Sequence, residues 1–153
     1  VLKMVPRFNI TRTEREIYVP FVGKRTTLCY NTTFSDPTRP TGDAQVIIGP
    51  VSDRQQPNSY QQLIAAGLSH DDLLANINLF FPNGRATHKN PHLRQCGVGS
   101  ATLKRLTEDA LEIGCKALYW IVEQGNPHAL AFLAKQNFTA ITPQYHFRLL
   151  EQD

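Results

Sequence analysis

Cysteine is scarce in this sequence. The three that occur, Cys29, Cys96 and Cys115, cannot all pair within one chain, and no two stand in a C-x-x-C spacing. A zinc ribbon and a dithiol redox motif are therefore both excluded, and reduced thiols in a cytoplasmic setting are the expectation. Long apolar runs are missing as well. Nothing approaches the ~18 consecutive apolar residues of a spanning helix, so no membrane partner is expected. Val1 to Ile10 also lacks the apolar core of a signal peptide. Without such a leader, the N-x-T triplets at Asn9, Asn31 and Asn137 read as chance occurrences. Metal patterns are absent too: His88 and His92 stand four apart, but Pro91 between them breaks the helix that would align them.

Charge is low at 19%, and its imbalance is small: 16 Lys+Arg against 13 Asp+Glu, a net +3. That suits an anionic small molecule or an acidic partner. It is far from the charge of a dedicated nucleic-acid binder, so nucleic acid is set aside as a partner. Lys3, Arg7, Arg12, Arg15, Lys24 and Arg25 crowd the N-terminal stretch, relieved by Glu14 and Glu16, and read as a solvated face.

What is present is a core. Of 153 residues, 41% are hydrophobic, which excludes a disordered tail, a collagen-like repeat and a coiled coil. Glu16 to Val22 and Thr26 to Phe34 are rich in β-branched and aromatic residues and predict strands, as does the apolar run Gln45 to Ile48. Residues 35–43 and 52–59 are loops by their Pro, Gly and polar content. Tyr60 to Ala66 predicts a short helix stopped by Gly67. Ser69 to Asp72 carries helix-start residues, and a period of two follows over residues 76–81. Pro82-Asn83-Gly84 then predicts a tight turn into a polar strand over Arg85 to Asn90, the alternative being one long loop across 83–93.

The second half is clearer. From Gly99 a helix carries Leu103, Leu106, Ala110 and Ile113 on one face and ends at Gly114. Ala117 to Val122 is continuously apolar, as in a strand buried on both faces. Asn126 and Pro127 open a second helix that Asn137 closes, and Phe138 to Ile141 and Tyr145 to Leu150 predict two more strands. The fold class is α/β (α+β), a mixed, mostly antiparallel sheet flanked by helices.

The segment Arg94-Gln95-Cys96-Gly97-Val98-Gly99-Ser100 stands where a loop turns into a helix. Its glycines allow close backbone approach, and the helix start offers unpaired N–H groups and a positive dipole end. These make a phosphate or pyrophosphate cradle with Arg94 at its mouth; the alternative is a tight turn that simply needs glycine. It is not a Walker loop, which needs Gly-Lys-Ser/Thr. Nor is it a dinucleotide fingerprint, because position 102 is Thr.

Arg94, Gly97 and Gly99 match in register the Arg/Gln-x-x-Gly-x-Gly/Ala loop of the acyl-CoA-dependent N-acyltransferases of the GNAT superfamily. Pro91, the pair Asn126 and Ala129, and Phe138 fall where that family has frequent counterparts. Over residues 91–141 the sequence resembles this superfamily. The resemblance implies a GNAT-like fold in a single domain over residues 1–153, with a divergent half 1–82 and a coenzyme-binding half 91–150. It implies acetyl-CoA as cosubstrate, held by residues 94–100 and Asn126, and acetyl transfer to an amine, whether of a small molecule or of a protein. A backbone N–H near the polar strand would polarise the thioester carbonyl. The base that deprotonates the amine would come from His88, His92 or Glu123. The family's usual tyrosine in the second helix, which protonates the departing thiolate, falls at Leu133, and Tyr145 is the candidate replacement. Leu133 also motivates an alternative, a non-catalytic acyl-CoA-binding or interaction module on the same fold. A third possibility is an unrelated phosphate- or nucleotide-binding α/β domain.

Overall fold

The computed structural model describes residues 8–54, 57–82, 84, 97–122 and 127–151. Two long strands, β1 (Phe8–Val19) and β2 (Gly23–Phe34), form an antiparallel hairpin in full register from Phe8↔Phe34 to Val19↔Gly23. The turn between them puts Phe21 at φ 66° and Gly23 at φ 121°. β3 (Gly42–Pro50) pairs antiparallel with β2 and leads through a 3-10 turn (Val51–Asp53) into α1 (Pro57–Ala65). As expected, α1 stops just before Gly67, which takes φ 103°.

Ser69 to Asp72 does not start a helix. The Asp72 carboxylate accepts from the Ser69 N–H at 2.8 Å, closing a turn that delivers β4 (Leu73–Phe81). The same short acid that can cap a helix can close a turn, and the apolar period of two beyond it decides for the strand. Gly84 donates to the Phe81 carbonyl, so β4 ends in a turn. The expected polar strand Arg85 to Asn90 lies outside the described residues.

α2 (Val98–Ile113) follows, closed by Gly114 at φ 105°. Leu103, Leu106 and Ala110 are buried as expected, but Ile113 is 39% exposed: the last turn runs past the sheet it covers. β5 (Ala117–Ile121) buries its residues on both faces except Ile121, which is 42% exposed. α3 (Pro127–Lys135) ends with Asn137 in the left-handed region at φ 63°. β6 (Thr139–Ala140) and β7 (Tyr145–Leu149) complete a seven-stranded sheet of order β1-β2-β3-β4-β5-β7-β6. Among these pairs only β4 and β5 run parallel. The sheet is thus mixed and mostly antiparallel, the expected class.

One face packs against α2 and α3 through Leu28, Val46, Ile77, Leu118, Trp120, Leu103, Leu106 and Leu133. The other packs against α1 through Val51, Leu63, Leu74, Tyr119 and Phe147.

Candidate active site

The site geometry begins with a fault in β4. Gln45 stands opposite Leu79 while its neighbour Val46 stands opposite Ile77, so Asn78 is an extra residue without a partner on β3. Such a bulge bends its strand and shifts the side-chain alternation by one. Both effects are visible. Ile77 and Phe80 fall on the same α2/α3 face, and the parallel ladder with β5 ends at Ile77↔Trp120 although β4 continues to Phe81. Beyond that pair β4 runs on without β5, which itself ends at Ile121, and α/β sheets commonly receive ligands in the opening at such strand ends. On the α2/α3 side an aromatic cluster lines this opening: Phe80 meets Trp120 at 4.6 Å and Phe132 of α3 at 5.7 Å between ring centroids.

The start of α2 arrives at the same place. Gly97 caps it at φ 74°, ψ 6°, a left-handed conformation that any other residue enters at a cost. A Cβ on Gly97 would meet nothing within 4 Å among the described residues. A Cβ on Gly99 would instead stand 3.6 Å from both Phe132 and Pro82, so this glycine faces inward, toward α3 and the end of β4. Gly97 accepts the first helical bond, from the Ala101 N–H, and no acidic residue occupies the first turn. The N–H groups of Val98, Gly99 and Ser100 are the unpaired donors of a helix start. Thr102, at the position that excluded a dinucleotide fingerprint, is buried and returns its hydroxyl to the Val98 carbonyl at 2.7 Å.

Of the predicted site residues, Gly97, Val98, Gly99 and Ser100 thus form the first turn of α2. Tyr145 lies on β7 on the opposite, α1 face and stacks on Tyr119 at 5.9 Å. His88, Arg94, Gln95, Cys96, Glu123 and Asn126 lie outside the described residues. Leu133, where the resemblance expects a tyrosine, is 1% exposed and packed in the core with Trp120 and Val122.

The α1 face carries polar groups that no sequence pattern announced. Tyr119 Oη and Ser59 Oγ share a buried hydrogen bond of 2.8 Å. Arg25 grips both oxygens of Asp53 at 2.7 and 2.8 Å, which raises its already high pKa. Arg54 lies over the Tyr119 ring at 5.1 Å, and burial lowers its pKa against the opposing pull of Tyr119, Asp53 and Tyr145. In the sequence, Arg54 and Ser59 sit inside a stretch that reads only as polar loop, and Asn76 and Tyr119 read as strand positions.

Residues 86–138 match the family model described as "Acetyltransferase (GNAT) family". Comparison with curated proteins finds no match. Among solved structures, Arabidopsis thaliana NAA60 in complex with a bisubstrate analogue aligns with a TM-score of 0.58 at 13% identity, over 82% of this chain and 77% of that one. AtaT complexed with acetyl-methionyl-tRNAfMet aligns at 0.45 and 10% identity, over 80% of this chain and 71% of that one. Residues 86–138 therefore carry the GNAT acetyltransferase match, and the sheet that holds them has the GNAT-like fold.

Proposed function

We propose that the chain is an acyl-CoA-dependent N-acyltransferase that moves the acetyl group of acetyl-CoA to an amine. One observation carries the reading: the uncapped, glycine-led start of α2 opens beside the end of the β4–β5 ladder. The residues fit the coenzyme. Gly97 puts no side chain in front of three backbone donors, which suits a pyrophosphate, and the β4–β5 ladder ends where an extended arm would lie.

Acetyl-CoA would supply an acetyl group activated as a thioester. Val98, Gly99 and Ser100 would hold its pyrophosphate through their N–H groups, with Arg94 adding charge and Gln95, Cys96 and Asn126 lining the approach. The acceptor must reach the site as a free amine, so a base takes one proton from it, His88, His92 or Glu123 in this reading. Tyr145 would return a proton to the leaving sulfur. The reading also takes residues 1–153 as one GNAT-like domain in a reducing, cytoplasmic setting, where the Cys29 thiol stays reduced.

The burial of Leu133 favours a second reading, an acyl-CoA-binding module without turnover, because no proton donor stands at that helix position. Calorimetric titration with acetyl-CoA, followed by thiol release in the presence of an amine panel, separates the two. Binding with thiol release supports the transferase; binding without release supports the module. No binding, or equal affinity for ATP, sinks both.

A further inference from the structure

A buried polar atom without a partner is rare in a native protein, and a bound ligand is one of its ordinary explanations. Three such atoms, Thr27 Oγ1, Asn76 Oδ1 and Arg54 Nε, lie on the α1 face. Their grouping follows from register. Thr27↔Ile47, Ile47↔Asn76 and Asn76↔Tyr119 are successive partners across β2, β3, β4 and β5, so these side chains form one row on one face. Arg54 comes from the far end of β3, yet its guanidinium stands over Tyr119 on β5. The ring beneath it is that of the residue paired with Asn76.

Among the described residues no carboxylate forms an ion pair with Arg54. The ion pairs among the described residues join Arg12 and Arg105 to Asp109 and Arg25 to Asp53, and the last of these occupies the acid nearest in sequence. Asn76 is only 7% exposed, one residue before the β4–β5 ladder ends. Together they leave an unpartnered guanidinium Nε over Tyr119 and an unpartnered amide oxygen on the neighbouring residue of the same row. A planar carboxylate matches a guanidinium fork, and an N–H matches the amide oxygen.

We infer that Arg54 and Asn76 select the acceptor, which is a primary amine that also bears a carboxylate: the carboxylate lies on Arg54 and the N–H on Asn76. Tyr119, fixed by Ser59, is the platform beneath the guanidinium. The inference rests on the transferase reading but is tested separately from it.

The experiment sets glycine, β-alanine and γ-aminobutyrate against the alkylamine of matched length, in wild type, R54Q and R54K, with circular dichroism checking each fold. In wild type the best amino carboxylate has a KM about tenfold or more below its plain amine. In R54Q that ratio collapses toward one, and R54K, which keeps the charge without the fork, lies between. Equal KM values within the pair in wild type, or a ratio unchanged in R54Q, overturn the inference. If no amine is acetylated, the transferase reading fails, and thermal shift judges Arg54 alone. A rise in melting temperature with an amino carboxylate that R54Q and R54K lose upholds the site; no rise, or equal rises in all three, overturns it.

Discussion

Tyr30 on β2 donates its hydroxyl proton to Asp109 on α2 across 2.7 Å, and both side chains are buried. Arg12 and Arg105 approach the same carboxylate oxygen at 3.5 Å each. Burial first and the bond to Asp109 second push the Tyr30 pKa far up. This contact ties the divergent N-terminal hairpin to the helix whose other end forms the proposed coenzyme cradle.

Tyr30→Phe removes the close donor and leaves Asp109 with two longer arginine contacts. The expected loss is about 1–3 kcal/mol, the cost of leaving a buried group short of a partner. Urea denaturation measures it. A loss within the error of the fit would mean that the arginines alone satisfy the carboxylate.

The two cradle glycines differ in kind, and substitution separates them. Gly97→Ala forces a side chain into the left-handed region and costs about 1–2 kcal/mol, with no steric clash. Gly99→Ala fits between Phe132 and Pro82 at ordinary contact distance and costs less. Gly99→Val overpacks the same space and costs about 1–3 kcal/mol. Melting curves of the three variants, with and without acetyl-CoA, give both the stability order and the effect on binding.

Leu133→Ala opens a cavity beside Trp120 and Val122 and costs about 2–5 kcal/mol. Leu133→Tyr places a larger, polar-tipped side chain in a position that is 1% exposed, and it destabilises by about 1–3 kcal/mol through overpacking. Scanning calorimetry checks both. A Leu133→Tyr variant as stable as wild type would show that a hydroxyl can reach solvent or the transfer site from this position.

Burial pushes the Cys115 thiol from 9.0 up to about 11. The folded state therefore holds its proton more tightly than the unfolded chain does. The stabilisation is complete below pH 9 and fades as pH rises toward 11. Stability should fall across that window, and Cys115→Ala should fall less steeply from a lower starting value. Equal slopes would assign the alkaline loss to Tyr30 and Tyr119, whose pKa values burial also raises.

Phe21 holds φ 66° in the β1–β2 turn with its ring 98% exposed. Asn accepts this conformation far more readily than an aromatic residue does. Phe21→Asn is expected to stabilise the fold by about 0.5–1 kcal/mol, read from the denaturation midpoint. A loss of stability would show that the exposed ring contributes a contact worth more than its backbone strain.

Elements set by local chemistry were legible without the structure. Gly67, Gly114 and Asn137 end their helices in left-handed conformations, as expected of residues that tolerate positive φ. The alternation of β5 between two buried faces followed from six consecutive apolar residues. The start of α2 was visible to within one residue: a helix expected from Gly99 begins at Val98, with Gly97 as its cap, because a glycine-led helix start is a property of a few adjacent residues. Errors came where one local signal has two uses, as at Asp72, which closes a turn in place of capping a helix.

Tertiary structure alone decided what stands across from what. The bulge at Asn78 arises from the mismatch between β3 and β4, and no residue in β4 marks it. The polar row Thr27, Asn76 and Tyr119 gathers residues nearly a hundred positions apart, and Arg54 joins it over the Tyr119 ring. Whether a buried polar atom has a partner depends on pairing between strands distant in sequence, so the chain's own order carries no trace of it. The sequence determined a glycine-led start at the head of α2; the packing of the sheet determined which polar side chains share its α1 face.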